Sequence, residues 1–227
     1  MKDGQPSKTA QFVAANVALS TVHPALDGVL PPEAGTETSR YLRTLDNWTG
    51  TSARLFHRVP KFALERFVAR IPPGAIAHPV LRKRWIEDTV RANLQDCSQV
   101  VVLGAGFDTL APRLRREYPD TRFWEVDHPA TQKVKRRVVR QGSNLTLIAE
   151  DFTERAPMSS LDADREYHSD ECTVVVAEGL LMYLPETEVR QLFDAVREHT
   201  EEGSHLVGTA VNPTAVTDAD WLGNTGS

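Results

Sequence analysis

The sequence is poor in the residues that build disulfide frameworks and metal centres. It contains two cysteines in 227 residues, Cys97 and Cys172, and they lack the spacing of metal ligands. The seven histidines are also scattered without such spacing. We therefore expect no metal site, and we interpret the two cysteines as reduced structural thiols of a cytoplasmic protein.

Long hydrophobic runs and an excess of positive charge are missing as well. The apolar runs have the length of short strands, whereas a membrane-spanning helix needs about 20 apolar residues. Residues 1–19 have no continuous apolar stretch behind a basic start, so we expect no signal peptide. The net charge of −5 gives no reason to expect nucleic acid or a membrane as a partner. With 41% hydrophobic and 25% charged residues, the sequence predicts a soluble globular protein.

The signature motifs of two large enzyme classes are absent, since the sequence has neither a Gly-x-Ser-x-Gly elbow nor a Walker loop. The second half instead alternates apolar strands with helical segments. This alternation predicts an α/β fold, a Rossmann-like doubly wound and mostly parallel sheet with right-handed crossovers. We expect strands at 99–103, 122–126, 145–149, 173–177 and 205–210, and helices at 108–117, 129–141 and 186–199.

The first 79 residues predict a helical region that forms a lid over a sheet domain of residues 80–227. Apolar residues recur at helical spacing over 38–69, with breaks near Gly50 and Pro60. We expect a further helix at 11–20 and irregular structure at 1–9, 23–35 and 71–79. The lid is followed by a helix over Val80–Leu94, whose inward face we expect to contain Leu81, Trp85, Ile86, Thr89 and Val90.

The most informative stretch is VVVLGAGFDTL, in which a β-branched strand runs into a turn with Gly104 and Gly106. A second apolar strand, FWEVD, then ends in Asp127. In doubly wound sheets the glycines let the backbone approach a ligand, and an acid at the tip of the second strand accepts hydrogen bonds from ribose hydroxyls. The pattern predicts a nucleoside-binding site.

The spacing within the turn favours one class of cofactor. Loops that bind a pyrophosphate have a third small residue, at the position where this sequence has Thr109. An adenosine cofactor without pyrophosphate fits better, and S-adenosyl-L-methionine is the common one. A nicotinamide-dependent oxidoreductase, which shares the glycine turn and the acid, is the alternative.

Other acids follow the second and third strands. Glu125 and Asp127 point to the same side of their strand, and we assign the ribose to Asp127 and a rim position or a salt bridge to Glu125. Asp151 and Phe152, just after the third strand, could accept the adenine amine and cover the ring, although Asp151 could instead cap the turn that follows. We interpret the basic run Lys133–Arg140 as an exposed helix face.

Two further segments carry candidate binding residues. Glu178 lies at the tip of the fourth strand, where a carboxylate would stabilise a sulfonium cation. Tyr183, nearby, could hydrogen-bond ligand or substrate, or be structural. Arg82 and Arg84 face different directions on their helix, and one of them could clamp a free carboxylate. The alternative for both is a solvated basic face that includes Lys83.

These motifs together resemble the leucine carboxyl methyltransferase family of class I S-adenosyl-L-methionine-dependent O-methyltransferases. The resemblance covers Val80–Val207 through LRKRWIEDTV, VVVLGAGFDTLAPRL, FWEVDHPATQKVKRR, AEDF and AEGLLMYLPE. It implies the following cofactor contacts: Arg82 at the methionyl carboxylate, Gly104 at the amino-acid end, Asp127 at the ribose, Asp151 and Phe152 at adenine, and Glu178 near the methionyl or sulfonium end.

The resemblance also implies a reaction, methyl transfer to an oxygen, most plausibly a carboxylate of a small molecule or peptide end. Such an acceptor, with a pKa of about 4, is ionised at neutral pH and needs no general base, so we assign no catalytic residue. The sheet of this family usually has seven strands, and the sequence supplies five before a short polar tail. Either the chain is a truncated form, or its sheet is abbreviated, or a second copy or a partner covers the open sheet edge. A non-catalytic binding subunit is a further alternative.

Overall fold

The computed structural model describes residues 7–45, 61–71 and 73–210, and within them the chain forms a five-stranded parallel sheet with helices on both faces. The strand order is β3-β2-β1-β4-β5, so the chain moves outward in one direction from β1 and later returns to the other side of it. The strands are β1 (Gln99–Leu103), β2 (Arg122–Asp127), β3 (Leu145–Ala149), β4 (Thr173–Ala177) and β5 (His205–Gly208).

The two central strands form because their residues are β-branched and buried on both faces. Val100–Val102 of β1 and Val174–Val176 of β4 pair in register and are at most 2% exposed. Such continuous apolar strands are typical of a parallel sheet that helices cover on both sides. All five strands predicted from the sequence are present, and β5 ends at Gly208, two residues early.

Seven α-helices surround the sheet in the described residues. Val100 and Val102 pack with Ala14, Tyr41 and Ile86, so the N-terminal helices belong to the same hydrophobic core as one face of the sheet. The helices are α1 (Lys8–Ser20), α2 (Pro32–Thr44), α3 (Lys61–Val68), α4 (Pro73–Asn93), α5 (Leu110–Glu117), α6 (Pro129–Lys135) and α7 (Glu186–Glu198). None of these helices is long and apolar enough to cross a membrane.

The helices of the N-terminal region start earlier than predicted, because segments rich in proline and glycine were expected to be irregular. Helix α2 starts at Pro32, inside the segment expected to be irregular, because proline is well accommodated in the first turn of a helix. Helix α4 starts at Pro73, where a loop was expected, and continues through Pro79. Residues 8 and 9, also expected to be irregular, belong to α1. The predicted breaks near Gly50 and Pro60 lie outside the described residues.

The inward face predicted for α4 is partly wrong. Ile86 and Val90 are buried, but Leu81 and Trp85 are 53% and 56% exposed. Glu87, which is buried, and Lys83, whose side chain is 13% exposed, lie at helical spacing with Ile86 and Val90, and both can face inward because they have ion-pair partners. The inward face of α4 therefore includes charged residues, whereas hydrophobicity alone had placed Leu81 and Trp85 there.

The two cysteines are joined in a disulfide rather than free, which corrects the expectation of reduced thiols. Cys97 precedes β1 and Cys172 precedes β4, and these two strands are neighbours in the sheet. Their Cα atoms are consequently 4.5 Å apart, although 75 positions separate them in sequence. The sequence showed no spacing signal because the adjacency arises only from the strand order.

Candidate functional site

A cavity of about 720 Å³ opens at the carboxyl ends of β1 to β4. In open parallel sheets ligands bind at this end, where neighbouring strands have crossovers that leave in opposite directions, as β1 and β4 do here. Helix α1 contributes another wall, which includes Ala10, Val13 and Val17. Helix α4 contributes Arg82 and Lys83.

The glycine turn after β1 has the backbone that the sequence predicts. Gly104 and Gly106 have φ values of 64° and 51°, in the left-handed region where a side chain is strained. Both are also closely packed, since an added Cβ would lie 3.2 Å from Leu180 at Gly104 and 3.2 Å from Ala10 at Gly106. The turn therefore presents bare backbone to the cavity and supports α1 directly.

Asp127 lies at the cavity wall beside this turn. Its Oδ2 accepts a hydrogen bond from the backbone N–H of Gly106. Burial raises the pKa of Asp127, and the Gly106 hydrogen bond opposes that rise. The acid is thus held at the tip of β2, next to Gly106, and the ribose contact stays a prediction.

Glu125 lies beneath the site and not at its rim. Its side chain is fully buried and its Oε2 is 2.7 Å from Nζ of Lys135, which is also fully buried. Burial raises the pKa of Glu125 to about 7, although Lys135 acts in the opposite direction. The salt-bridge alternative for Glu125 is confirmed. The exposed face predicted for Lys133–Arg140 is wrong for Lys135, because α6 turns that residue toward β2.

Asp151 and Phe152 line the cavity just after β3. Asp151 caps the turn that follows, since its Oδ1 accepts hydrogen bonds from the backbone N–H and the hydroxyl of Thr153 at 3.0 and 2.7 Å. Its other oxygen is 3.2 Å from Nε2 of His128. The capping role and a place on the cavity wall therefore coexist, and the adenine contact stays a prediction.

A compact ionic cluster closes the β4 side of the cavity. Glu178 accepts a hydrogen bond from Arg82 Nε at 2.9 Å and one from Lys83 Nζ at 3.0 Å. Lys83 Nζ is also 3.0 Å from Oδ2 of Asp108. Arg84 lies outside the cluster and pairs with Asp88 at the surface. The structure thus places Arg82 on the cavity, and the solvated-face alternative holds for Arg84 only.

Sequence reasoning missed two members of this cluster, Lys83 and Asp108. Burial lowers the pKa of Lys83, but the carboxylates of Asp108 and Glu178 outweigh it and leave that pKa raised. Burial likewise favours neutral Asp108, and Lys83 and Lys135 reverse the effect, so the pKa of Asp108 lies well below its usual range. The signals available were the adjacency of Lys83 to Arg82 and the place of Asp108 at the start of α5. Asp108 also accepts hydrogen bonds there from Thr109 N and Leu110 N.

Tyr183 lies at the mouth of the cavity. It belongs to a short 3₁₀ helix, Leu181–Tyr183, and is 58% exposed, so it is not the half-buried structural residue of the alternative interpretation. Leu180, in the same segment, packs over Gly104. The segment after β4 therefore connects the glycine turn to the exposed edge of the cavity.

Comparisons with known proteins show to which family and fold the chain is similar. The family model described as leucine carboxyl methyltransferase matches residues 40–197. A protein of Streptomyces coelicolor, provisionally named an S-adenosyl-L-methionine-dependent methyltransferase, is 34% identical over 134 residues, covering 56% of this chain and 46% of its own length. A protein of Mycobacteroides abscessus with the same provisional name is 31% identical over 152 residues, with coverages of 63% and 46%. The chain spans about half the length of these curated relatives.

The fold is also similar to that of a solved structure. A crystal structure from Thermobifida fusca, provisionally titled a methyltransferase, superposes with a TM-score of 0.55 at 22% identity. The similarity covers 84% of this chain and 70% of that one. The similarity to proteins named as methyltransferases therefore includes the arrangement of the sheet and its helices as well as the sequence motifs.

Proposed function

The chain belongs to the leucine carboxyl methyltransferase family, and from that premise we propose that it binds S-adenosyl-L-methionine in the cavity at the strand ends and directs methyl transfer to an oxygen. The acceptor that we propose is a carboxylate of a small molecule or of a peptide end. The proposal includes a lid role for residues 1–79, of which α1 lines the cavity.

The arrangement of polar groups around one cavity carries this proposal. Successive strand tips offer Asp151 and Phe152 after β3, Asp127 at the end of β2, the glycines after β1 and the Arg82–Glu178 pair beside β4. An extended ligand with a base, a ribose and an amino-acid end meets matching chemistry in that order. A pyrophosphate fits less well, because the glycine turn has Thr109 at the position where pyrophosphate-binding loops have a third small residue.

The amino-acid end of the cofactor is the part that this chain fits most specifically. Arg82 uses Nε for Glu178, and its Nη2 lies 3.8 Å from the position of a Cβ added at Gly179. Arg82 and Gly179 both line the cavity. A guanidinium anchored at one edge can bind a free carboxylate with its other edge. Glu178 would then lie close to the ammonium or sulfonium group, where opposite charge is stabilising.

When bound, S-adenosyl-L-methionine supplies an electrophilic methyl group on a sulfonium. The chain's contribution is to hold the acceptor oxygen in line with that methyl and to exclude water, which is the role we propose for α1 and for Tyr183 at the mouth. A carboxylate acceptor is already ionised at neutral pH and loses no proton. No side chain of the cavity therefore has to act as a base.

Calorimetric titration of the full chain with S-adenosylhomocysteine and with NAD tests the proposal. We expect binding of the homocysteine nucleoside and no binding of NAD. Tight NAD binding without a response to S-adenosylhomocysteine would instead support an oxidoreductase. Binding of S-adenosylhomocysteine, with no methyl transfer to any of a panel of carboxylic acids, would support a binding subunit.

A further inference from the structure

We propose that Lys83 is a positioning residue for the amino-acid end of the cofactor, because it fixes Glu178 and, through Glu178, the guanidinium of Arg82. The inference rests on the proposed function and deepens it. It adds to the site a residue that does not itself have to touch the ligand. Lys83 on α4 bridges two other segments of the site: the start of α5, through Asp108, and the tip of β4, through Glu178.

The geometry of the cluster supports this role. Lys83 Nζ is 3.0 Å from Asp108 Oδ2 and 3.0 Å from Glu178 Oε2, and its side chain is only 13% exposed. Arg82 holds the other oxygen of the same carboxylate, Oε1, at 2.9 Å. The plane of the Glu178 carboxylate is consequently set by one cation on each oxygen. Its orientation determines where the guanidinium of Arg82 can point.

Charge balance gives the physical reason for a lysine at this position. Two cations, Arg82 and Lys83, face two carboxylates, Asp108 and Glu178, so the cluster is neutral. An amino-acid group is also neutral, as a zwitterion, and can dock without creating an uncompensated charge. Without Lys83 the cluster would be negative beside the ligand's carboxylate. Glu178 would then draw the whole fork of Arg82 toward itself and away from the ligand.

Two ligands that differ only in the amino-acid end give a sharp test. S-adenosylhomocysteine has that end, and 5′-methylthioadenosine lacks it. We expect Lys83→Met to weaken binding of S-adenosylhomocysteine roughly tenfold or more, as for the loss of a hydrogen bond to a charged group, and to leave 5′-methylthioadenosine within about twofold of wild type. Arg84→Met on the same helix is the matched control, because Arg84 pairs only at the surface with Asp88. It should change neither affinity.

The ratio of the two affinities separates a positioning role from a merely structural one. Equal weakening of both ligands by Lys83→Met, or no weakening of either, would overturn the inference. If Lys83→Met does not fold, Lys83→Gln, which keeps a hydrogen-bond donor without the charge, is measured in the same way. It should weaken binding of S-adenosylhomocysteine more than binding of 5′-methylthioadenosine. A wild-type chain that does not bind S-adenosylhomocysteine would overturn the proposed function itself, before any variant is compared.

Discussion

Arg82 and Arg84 show how strongly the environment of a single residue determines its role. They are two positions apart on α4, yet Arg82 lies against Glu178 at the cavity and Arg84 pairs with Asp88 in solvent. Surface pairs of the second kind contribute little to stability or binding. In a partly buried pair such as Arg82 and Glu178, removal of one partner leaves the other charge without compensation.

We therefore expect Arg82→Ala to weaken binding of S-adenosylhomocysteine by roughly 2–4 kcal/mol, through loss of a charge-assisted clamp in a partly buried site. Arg82→Lys should recover only part of this, because an ammonium cannot make a planar two-point contact. Calorimetry on both variants measures the effect, with Arg84→Ala as control. Loss of binding in Arg84→Ala with normal binding in Arg82→Ala would show that α4 is wrongly placed against the ligand.

Glu125 gives the protein a pH dependence that can be measured without ligand. Its pKa rises from 4.5 to about 7 in the folded chain, mainly through burial and against the attraction of Lys135. The folded state therefore holds this proton more tightly than the unfolded state. The stability that this group contributes is fully present below about pH 4.5 and is lost as the pH rises through about 7.

Comparison with Glu125→Gln isolates that contribution, because other titrating groups are shared by both proteins. The unfolding free energy of wild type minus that of the variant should fall by about 1–3 kcal/mol between pH 4.5 and pH 7.5. Urea unfolding of the ligand-free proteins at several pH values measures the difference. A difference that stays constant or rises with pH would contradict a raised pKa for Glu125.

At the scale of elements, the turn between β1 and α5 connects the sheet to the N-terminal region. Gly106 donates its N–H to Asp127 and lies against Ala10 of α1. Because Gly106 has a positive φ and is closely packed, we expect one substitution there to affect the turn, Asp127 and α1 together. Through its contact with Ala10, the glycine turn helps to hold α1 at the cavity, although the two segments are nearly a hundred positions apart in sequence.

Gly106→Ala should therefore lower stability by about 1–2 kcal/mol through left-handed strain and also weaken S-adenosylhomocysteine binding. Gly203→Ala is the matched control, since Gly203 has a φ of 98° but open space around an added Cβ. It should lower thermal stability and leave the affinity unchanged. If both variants bind normally, the turn does not contact the ligand.

At the scale of the whole molecule, the cavity lies between the sheet and α1, so the N-terminal helices and the sheet have to act together. Saturation with S-adenosylhomocysteine should slow amide hydrogen exchange in α1, because a ligand in the cavity removes the opening motions of its wall. Helix α7 contributes no residue to the cavity and serves as the internal reference. Equal protection of α1 and α7 would contradict a lid role for α1.

The outer edge of the sheet leads to a prediction about assembly. Within the described residues β5 pairs only with β4, and Leu206 of β5 and Trp85 of α4 are exposed. An exposed strand edge offers unpaired backbone groups to another chain. We expect this chain to self-associate at micromolar concentration in light scattering. A monodisperse monomer that turns over substrate would contradict the expectation.

Local sequence patterns were enough to predict the sheet, the glycine turn and the position of Asp127. These features depend on local physics: runs of β-branched residues favour buried strands, and a left-handed turn favours glycine whatever its surroundings. The five strands and the two glycines of the turn after β1, Gly104 and Gly106, accordingly lie where the pattern indicates. Helix starts at proline were missed in the N-terminal region because proline can begin a helix as readily as it ends one.

The burial of charged residues and the exposure of apolar ones depend instead on tertiary contacts that local patterns do not reveal. Lys83 becomes part of the site because Glu178, 95 positions away, meets it at the tip of β4. Lys135 is buried because Glu125 faces it across the interface of α6 and β2. A charge can leave water only where a partner neutralises it, and the partner's position is a property of the fold, not of the local sequence.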